Sequence, residues 1–158
     1  MDLFVKPDGT ASYGDRTYRC AIGRGGVVRD KKEGDGASPA GRYQLIRTLY
    51  RADRMEPPKT DLPLIPIAET DGWCDEPADA AYNTQVTLPH PASSEKLARD
   101  DRLYDIIAVT DHNKNPVIPG AGSAIFIHVA GGADYLPTEG CIAFAEADLR
   151  EILGPVSY

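Results

Sequence analysis

Two side chains in this sequence have the types and spacing for acyl-transfer chemistry. Cys141 stands in "PTEGCIAF", residues 137–144, and His128 ends "SAIFIH" thirteen positions upstream. A free thiol has a pKa of about 8.5, so at neutral pH it needs a base to become a nucleophile. An imidazole at hydrogen-bond reach supplies that base, and the thiolate then attacks a carbonyl carbon. Gly140, immediately before the cysteine, lacks a Cβ and allows a substrate to approach the backbone, where consecutive N–H groups can hold an oxyanion. The residues alone leave three readings of Cys141 open: a small buried apolar residue, a metal ligand, or a nucleophile paired with His128.

The elements around these residues are legible. "SAIFIHVA" reads as a strand whose alternation sets Ile125, Ile127 and Val129 on one face and Phe126 and His128 on the other. "LYDIIAVT" is a second apolar, β-rich run, and both runs suit central strands. The intervening "DHNKNPVIPGAG" is dense in turn residues. "AEADLREIL" predicts a helix with Leu149, Ile152 and Leu153 on one face, acidic residues in its first half and Gly154-Pro155 at its end. The first fifty residues read as strands broken by turns ("LFVK", "PDGT", "RTYRCAIG"), and "RYQLIRTLY" has strand-like alternation with Tyr43, Leu45 and Arg47 on one side, a helix being the alternative there. Residues 53–101 differ: seven of the 13 prolines fall between positions 57 and 91, which excludes long regular elements. That segment is expected to be a lid or insertion containing a short strand, "TQVTL", and a short helix, "SSEKLARD".

At 158 residues, with 42% apolar and 26% charged residues, the chain is expected to be one globular domain. Its formal net charge of −7 argues against nucleic acid as a partner. Arg29, Lys31, Lys32, Arg42, Arg47, Arg51 and Arg54 concentrate positive charge in one segment, either as a solvated face or as a docking surface for carboxylates. No run approaches the roughly 18 apolar residues that span a bilayer. The opening "MDLFVKPDGTASYG" has no charged region leading into an apolar one, so the expected compartment is the cytosol unless the chain is trimmed. Cys20, Cys74 and Cys141 have no zinc-type spacing, and an odd count leaves a monomer with a free thiol. Cys20 reads as a buried strand residue, Cys74 as a loop thiol or cleft-lining residue in preference to a second nucleophile, and His90 and His112 as solvent-loop residues.

"TEGCI", with Thr138, Gly140 and Cys141, together with the strand-borne His128, resembles the L,D-transpeptidase catalytic domain, the YkuD family. "SPAGRYQL" is similar to that family's Pro-Gly turn before a strand, and "CAIGRGG" to its opening strand and glycine segment. These matches are in order and span about residues 20–153. Glu139 and Ala143 depart from the common pattern beside the cysteine, which bears on donor specificity.

The resemblance implies a mainly β (α+β) fold: a YkuD-like mixed β-sheet sandwich with a helix after the cysteine and a Pro-rich lid or insert. It implies Cys141 as nucleophile, His128 as base, the Val129 carbonyl as the group orienting the imidazole, and the Gly140 and Cys141 amides as the oxyanion hole. The substrate would be a peptidoglycan stem peptide, cut between the L-centre of meso-diaminopimelate and a D-residue, with an amine from a second stem completing a cross-link. Thr138 and Glu139 flank the site. Trp73, Asp75, Tyr82 and Asn83, in "GWCDEPADAAYN", resemble cleft-lining residues of a compact branch. No metal or organic cofactor is implied, the chain is expected to be a monomer, and the family places its work in the periplasm or cell envelope. Two other readings accompany this one: an L,D-carboxypeptidase or amidase, with water as acceptor, and a non-catalytic cell-wall-binding module.

Overall fold

The computed structural model describes residues 1–155. Its first element is an antiparallel meander, β1 (Leu3–Val5), β2 (Thr10–Tyr13) and β3 (Arg16–Arg19). The "PDGT" turn that opens it is closed by Asp8, whose carboxylate accepts the Thr10 N–H at 3.0 Å, with Gly9 at φ 83°. A parallel pair follows, β4 (Val27–Val28) with β5 (Ser38–Pro39).

The central element is a mixed five-stranded sheet. Its strands are β6 (Leu45–Tyr50), β7 (Leu64–Pro66), β11 (Ile106–Thr110), β12 (Phe126–Val129) and β13 (Ile142–Phe144), in the order β13-β12-β11-β6-β7. Pairing is parallel at β12–β13 and β6–β7 and antiparallel at β11–β12 and β11–β6. Between β7 and β11 the chain builds a small antiparallel sheet from β8 (Asp71–Cys74), β9 (Gln85–Thr87) and β10 (Ser94–Lys96), with β8 in the middle. Helix α1 (Glu146–Leu153) closes the fold.

Every residue of β11 and β12 is buried, because both faces of the sheet are covered. That explains why these strands are nearly continuous apolar runs. One face packs Ile106, Ala108, Ile127, Val129 and Phe144 against Ala11, Tyr18 and Cys20 of the meander region and against Leu149, Ile152 and Leu153 of α1. The opposite face packs Leu49, Ile107, Val109, Phe126 and Cys141 against Trp73, Leu97, Ala98 and Tyr104. The protein is thus mainly β with mixed sheets and a helix after the cysteine.

Several local readings are corrected. Residues 93–100 are not a helix: Ser94–Lys96 pair with Gly72–Cys74 as an edge strand, and Leu97 and Ala98 are buried beyond it. Pairing with β8 and burial of two apolar side chains outweigh a local cap signal. The alternation read from Tyr43 to Arg47 does not hold. Val109 pairs with Arg47 but Thr110 pairs with Leu45, so Ile46 is the extra residue of a bulge. As a result Leu45 and Leu49 face different cores. His112 is buried, edge-on to Tyr43 at 5.3 Å, and His90 is half-buried against Asp79. The basic segment is not one face: Arg51 is buried and bound to Asp53, Arg54 pairs with Asp105, and Lys31 pairs with Asp35.

Candidate active site

The strand end that carries His128 and the turn that carries Cys141 lie side by side. In the β12–β13 register His128 is opposite Ala143 and Ile127 opposite Ile142. Side chains alternate, so Cys141, two residues before Ala143, shares His128's face. His128 lies on β12 and Cys141 one residue before β13, the parallel strand beside it. Both line a single cleft of about 520 Å³, together with Lys31, Glu33, Asp75, Glu95, Arg99 and Tyr104.

The imidazole is held in one tautomer. Its Nδ1 lies 2.8 Å from the carbonyl oxygen of Val129, which can only accept, so Nδ1 carries the hydrogen and Nε2 is left with a lone pair. Tyr104 stacks edge-on against the ring at 5.3 Å. Burial lowers the His128 pKa to about 4, so the ring is neutral at physiological pH.

The thiol is protonated at rest. Burial is the main cause that pushes Cys141 up to about 12, with Glu95 adding to the rise and the Phe126 N–H opposing it. Its S–H donates to the Ala124 carbonyl at 3.1 Å, and its sulfur accepts the Phe126 N–H at 3.3 Å. Moving that proton to Nε2 requires the S–H to leave Ala124.

The turn before Cys141 has little freedom. Gly140 has φ 142°, and a Cβ there would lie 2.7 Å from the Ala37 carbonyl oxygen. Thr138 Oγ1 donates to the Cys141 carbonyl at 2.6 Å and accepts the Gly140 N–H at 3.1 Å. That bond corrects the expectation for Gly140: its amide is committed to Thr138 instead of pointing at an oxyanion. The "CAIGRGG" segment clamps the turn from outside, with Arg24 N–H on Thr138 O at 2.8 Å and a bridge between Ala21 and Ala143. Glu139 reaches outward to the Arg24 guanidinium at 3.0 Å, although it lies at the cleft rim.

The residues singled out in "GWCDEPADAAYN" divide. Asp75 lines the cleft, and its Oδ1 is buried without a hydrogen-bond partner among the described residues. Trp73, Tyr82 and Asn83 are buried behind the wall, each holding something that faces it. Trp73 packs edge-on against Phe126 at 4.9 Å. Tyr82 donates to Glu33 at 2.9 Å. Asn83 accepts from the Trp73 indole N–H at 3.0 Å and from the Ala124 N–H at 3.1 Å, and Ala124 in turn holds the thiol.

Glu95 and Tyr104 were not singled out in the sequence, yet they stand beside the thiol. Burial raises the Glu95 pKa, and the Tyr104 hydroxyl donates to its carboxylate. No motif marks them, because their proximity comes from the small sheet docking on the large one.

His128 on β12 and Cys141 in the turn before β13 thus line one cleft of a mixed-β fold. The sequence model of the L,D-transpeptidase catalytic domain (YkuD) matches residues 3–157, nearly the whole chain. The protein belongs to the L,D-transpeptidase catalytic-domain family. No curated protein and no solved structure gives a match. Among the described residues no helix is long and apolar enough to cross a membrane.

Proposed function

We propose that this protein is a cysteine-dependent L,D-transpeptidase that transfers acyl groups between peptidoglycan stem peptides. The observation that carries the reading is the placement of His128 on β12 and Cys141 in the turn entering the adjacent β13, both lining one cleft. In the first half-reaction His128 Nε2 takes the thiol proton as sulfur bonds to the carbonyl carbon of the donor stem. The C–N bond to the D-residue then breaks, and the imidazolium returns the proton to the leaving amine. In the second half-reaction an acceptor amine attacks the thioester and gives up a proton to His128. Sulfur leaves as thiolate and is reprotonated by the imidazolium.

The cleft's carboxylates support a peptide substrate that brings ammonium groups. Glu33, Asp75 and Glu95 all line it, and one Asp75 oxygen has no partner among the described residues. The apolar wall of Leu103, Ile125 and Leu136 accommodates the stem's aliphatic portions. The substrate places the work in the cell envelope, and residues 53–101, which supply one wall of the cleft, act as its lid. The test is incubation with purified disaccharide-peptides and mass analysis of the products. Cross-linked dimers that disappear in Cys141→Ala support transpeptidation. Trimmed monomers alone mean that water is the acceptor, and no turnover removes the proposal.

A further inference from the structure

Behind the cleft wall, three segments converge at a point that acyl transfer does not use. Cys74 ends β8, Asp79 sits in the turn after it, and His90 follows β9. The Cys74 Sγ, Asp79 carboxylate oxygen and His90 ring nitrogen all lie within 4.8 Å of one another. Asp79 Oδ1 is 3.7 Å from Cys74 Sγ and 3.2 Å from His90 Nε2. A tetrahedral zinc ion, with bonds of about 2.3 Å to sulfur and about 2.0 Å to nitrogen and oxygen, needs donor–donor edges of roughly 3.3–3.6 Å. The cluster therefore needs only small side-chain adjustments to enclose one ion.

We propose that Cys74, Asp79 and His90 form a transition-metal site for which zinc is the best-suited ion. Thiolate, imidazole and a single carboxylate select a borderline-soft dication over magnesium or calcium, which prefer all-oxygen shells. The two anionic donors neutralise a dication, and three protein donors leave a fourth position for water. Cys74 is fully buried, while the Asp79 and His90 side chains retain 25% and 19% exposure, so an ion has a route in.

The scaffold is already ordered. Cys74 N–H donates to Thr84 O at 3.0 Å, Asn83 N–H donates to Cys74 O at 2.9 Å, and Ala81 N–H holds Asp79 Oδ1 at 2.8 Å. The last bond is the kind of outer-shell contact that orients a metal-binding carboxylate. The intervals of four and ten residues match no familiar zinc spacing, and for that reason no metal was expected from the sequence. An ion here would tie β8 to the loop that carries Tyr82 and Asn83, bracing the wall that holds Glu33 and Ala124.

The competing arrangement is a metal-free cluster in which the thiol and imidazole hydrogens both go to Asp79. The test uses the full chain carrying Cys141→Ser, so that the cleft thiol cannot contribute a ligand. After chelation and dialysis, zinc is titrated against a chromophoric chelator and cobalt is added as a spectroscopic substitute. The proposal predicts one ion per chain, a sulfur-to-cobalt charge-transfer band and a rise in Tm with zinc. Adding Cys74→Ser should abolish the band, and His90→Ala or Asp79→Asn should weaken binding by about tenfold or more. Zinc binding that is absent, or that is unaffected by all three substitutions, overturns it. His90 and Asp79 are half-buried, so their variants keep the test decisive if Cys74→Ser fails to fold.

Discussion

The two faces of the five-stranded sheet are equally buried but built for different purposes. One is hydrocarbon against hydrocarbon: Phe144 and Leu149 are fully buried, and the helix and meander cover it with apolar side chains. The other carries His128 and Cys141 among Trp73, Phe126 and Tyr104, with Glu95 at its margin. On the first face burial supplies stability, since each large apolar side chain removed from water contributes about 1.5–3 kcal/mol. On the second the same burial shifts pKa values, keeping the imidazole neutral and the thiol protonated. Substitutions should therefore separate: those on the hydrocarbon face cost stability, and those on the site face cost chemistry.

The largest expected effect is on chemistry. Cys141→Ala removes the proposed nucleophile and should abolish turnover while leaving the thermal unfolding midpoint within a few degrees of wild type. His128→Ala should lower the acylation rate by about 10²–10⁴-fold, read by stopped-flow with a β-lactam acyl donor. If either variant instead unfolds the protein while retaining specific activity, the division between the faces collapses. Phe144→Ala should cost about 3–5 kcal/mol in urea unfolding and leave the rate per folded molecule nearly unchanged.

Gly140→Ala lies between the two classes. Its φ of 142° and the 2.7 Å approach to Ala37 O mean that a methyl must displace the turn carrying the thiol. Acylation and stability should fall together. The smallest effect is in pH dependence. Because the folded His128 pKa is depressed to about 4, the unfolded state binds more protons between that value and about 6.5. His128 thus contributes stability above the unfolded pKa that is lost as pH falls towards 4, and this slope should vanish in His128→Ala. Cys141 has the opposite sign: its stabilising contribution is present below the unfolded pKa of about 8.5 and fades as pH rises towards 12.

The sequence was most legible where one physical rule dominates. β11, β12 and α1 follow from apolar pattern, and the shared face of Phe126 and His128 follows from alternation. It was least legible where tertiary contacts decide. Ser94–Lys96 became a strand because β8 offered a partner, and the bulge at Ile46 broke a regular alternation. In the site, Thr138 and Cys141 are local to one turn, so a motif exposed them. Glu95 and Tyr104 reach the thiol only through the docking of two sheets, and Asn83 only through the Ala124 backbone. Tyr82 and Asn83 are expected from the sequence to line the cleft, yet their contacts are inside the wall, which no spacing reveals.

The most direct measurement is intact-protein mass spectrometry after incubation with a carbapenem, followed by peptide mapping. The account predicts one adduct, on Cys141, formed slowly in His128→Ala and not at all in Cys141→Ala. An adduct on Cys20 or Cys74, or a Cys141 adduct whose rate is indifferent to His128, would contradict it.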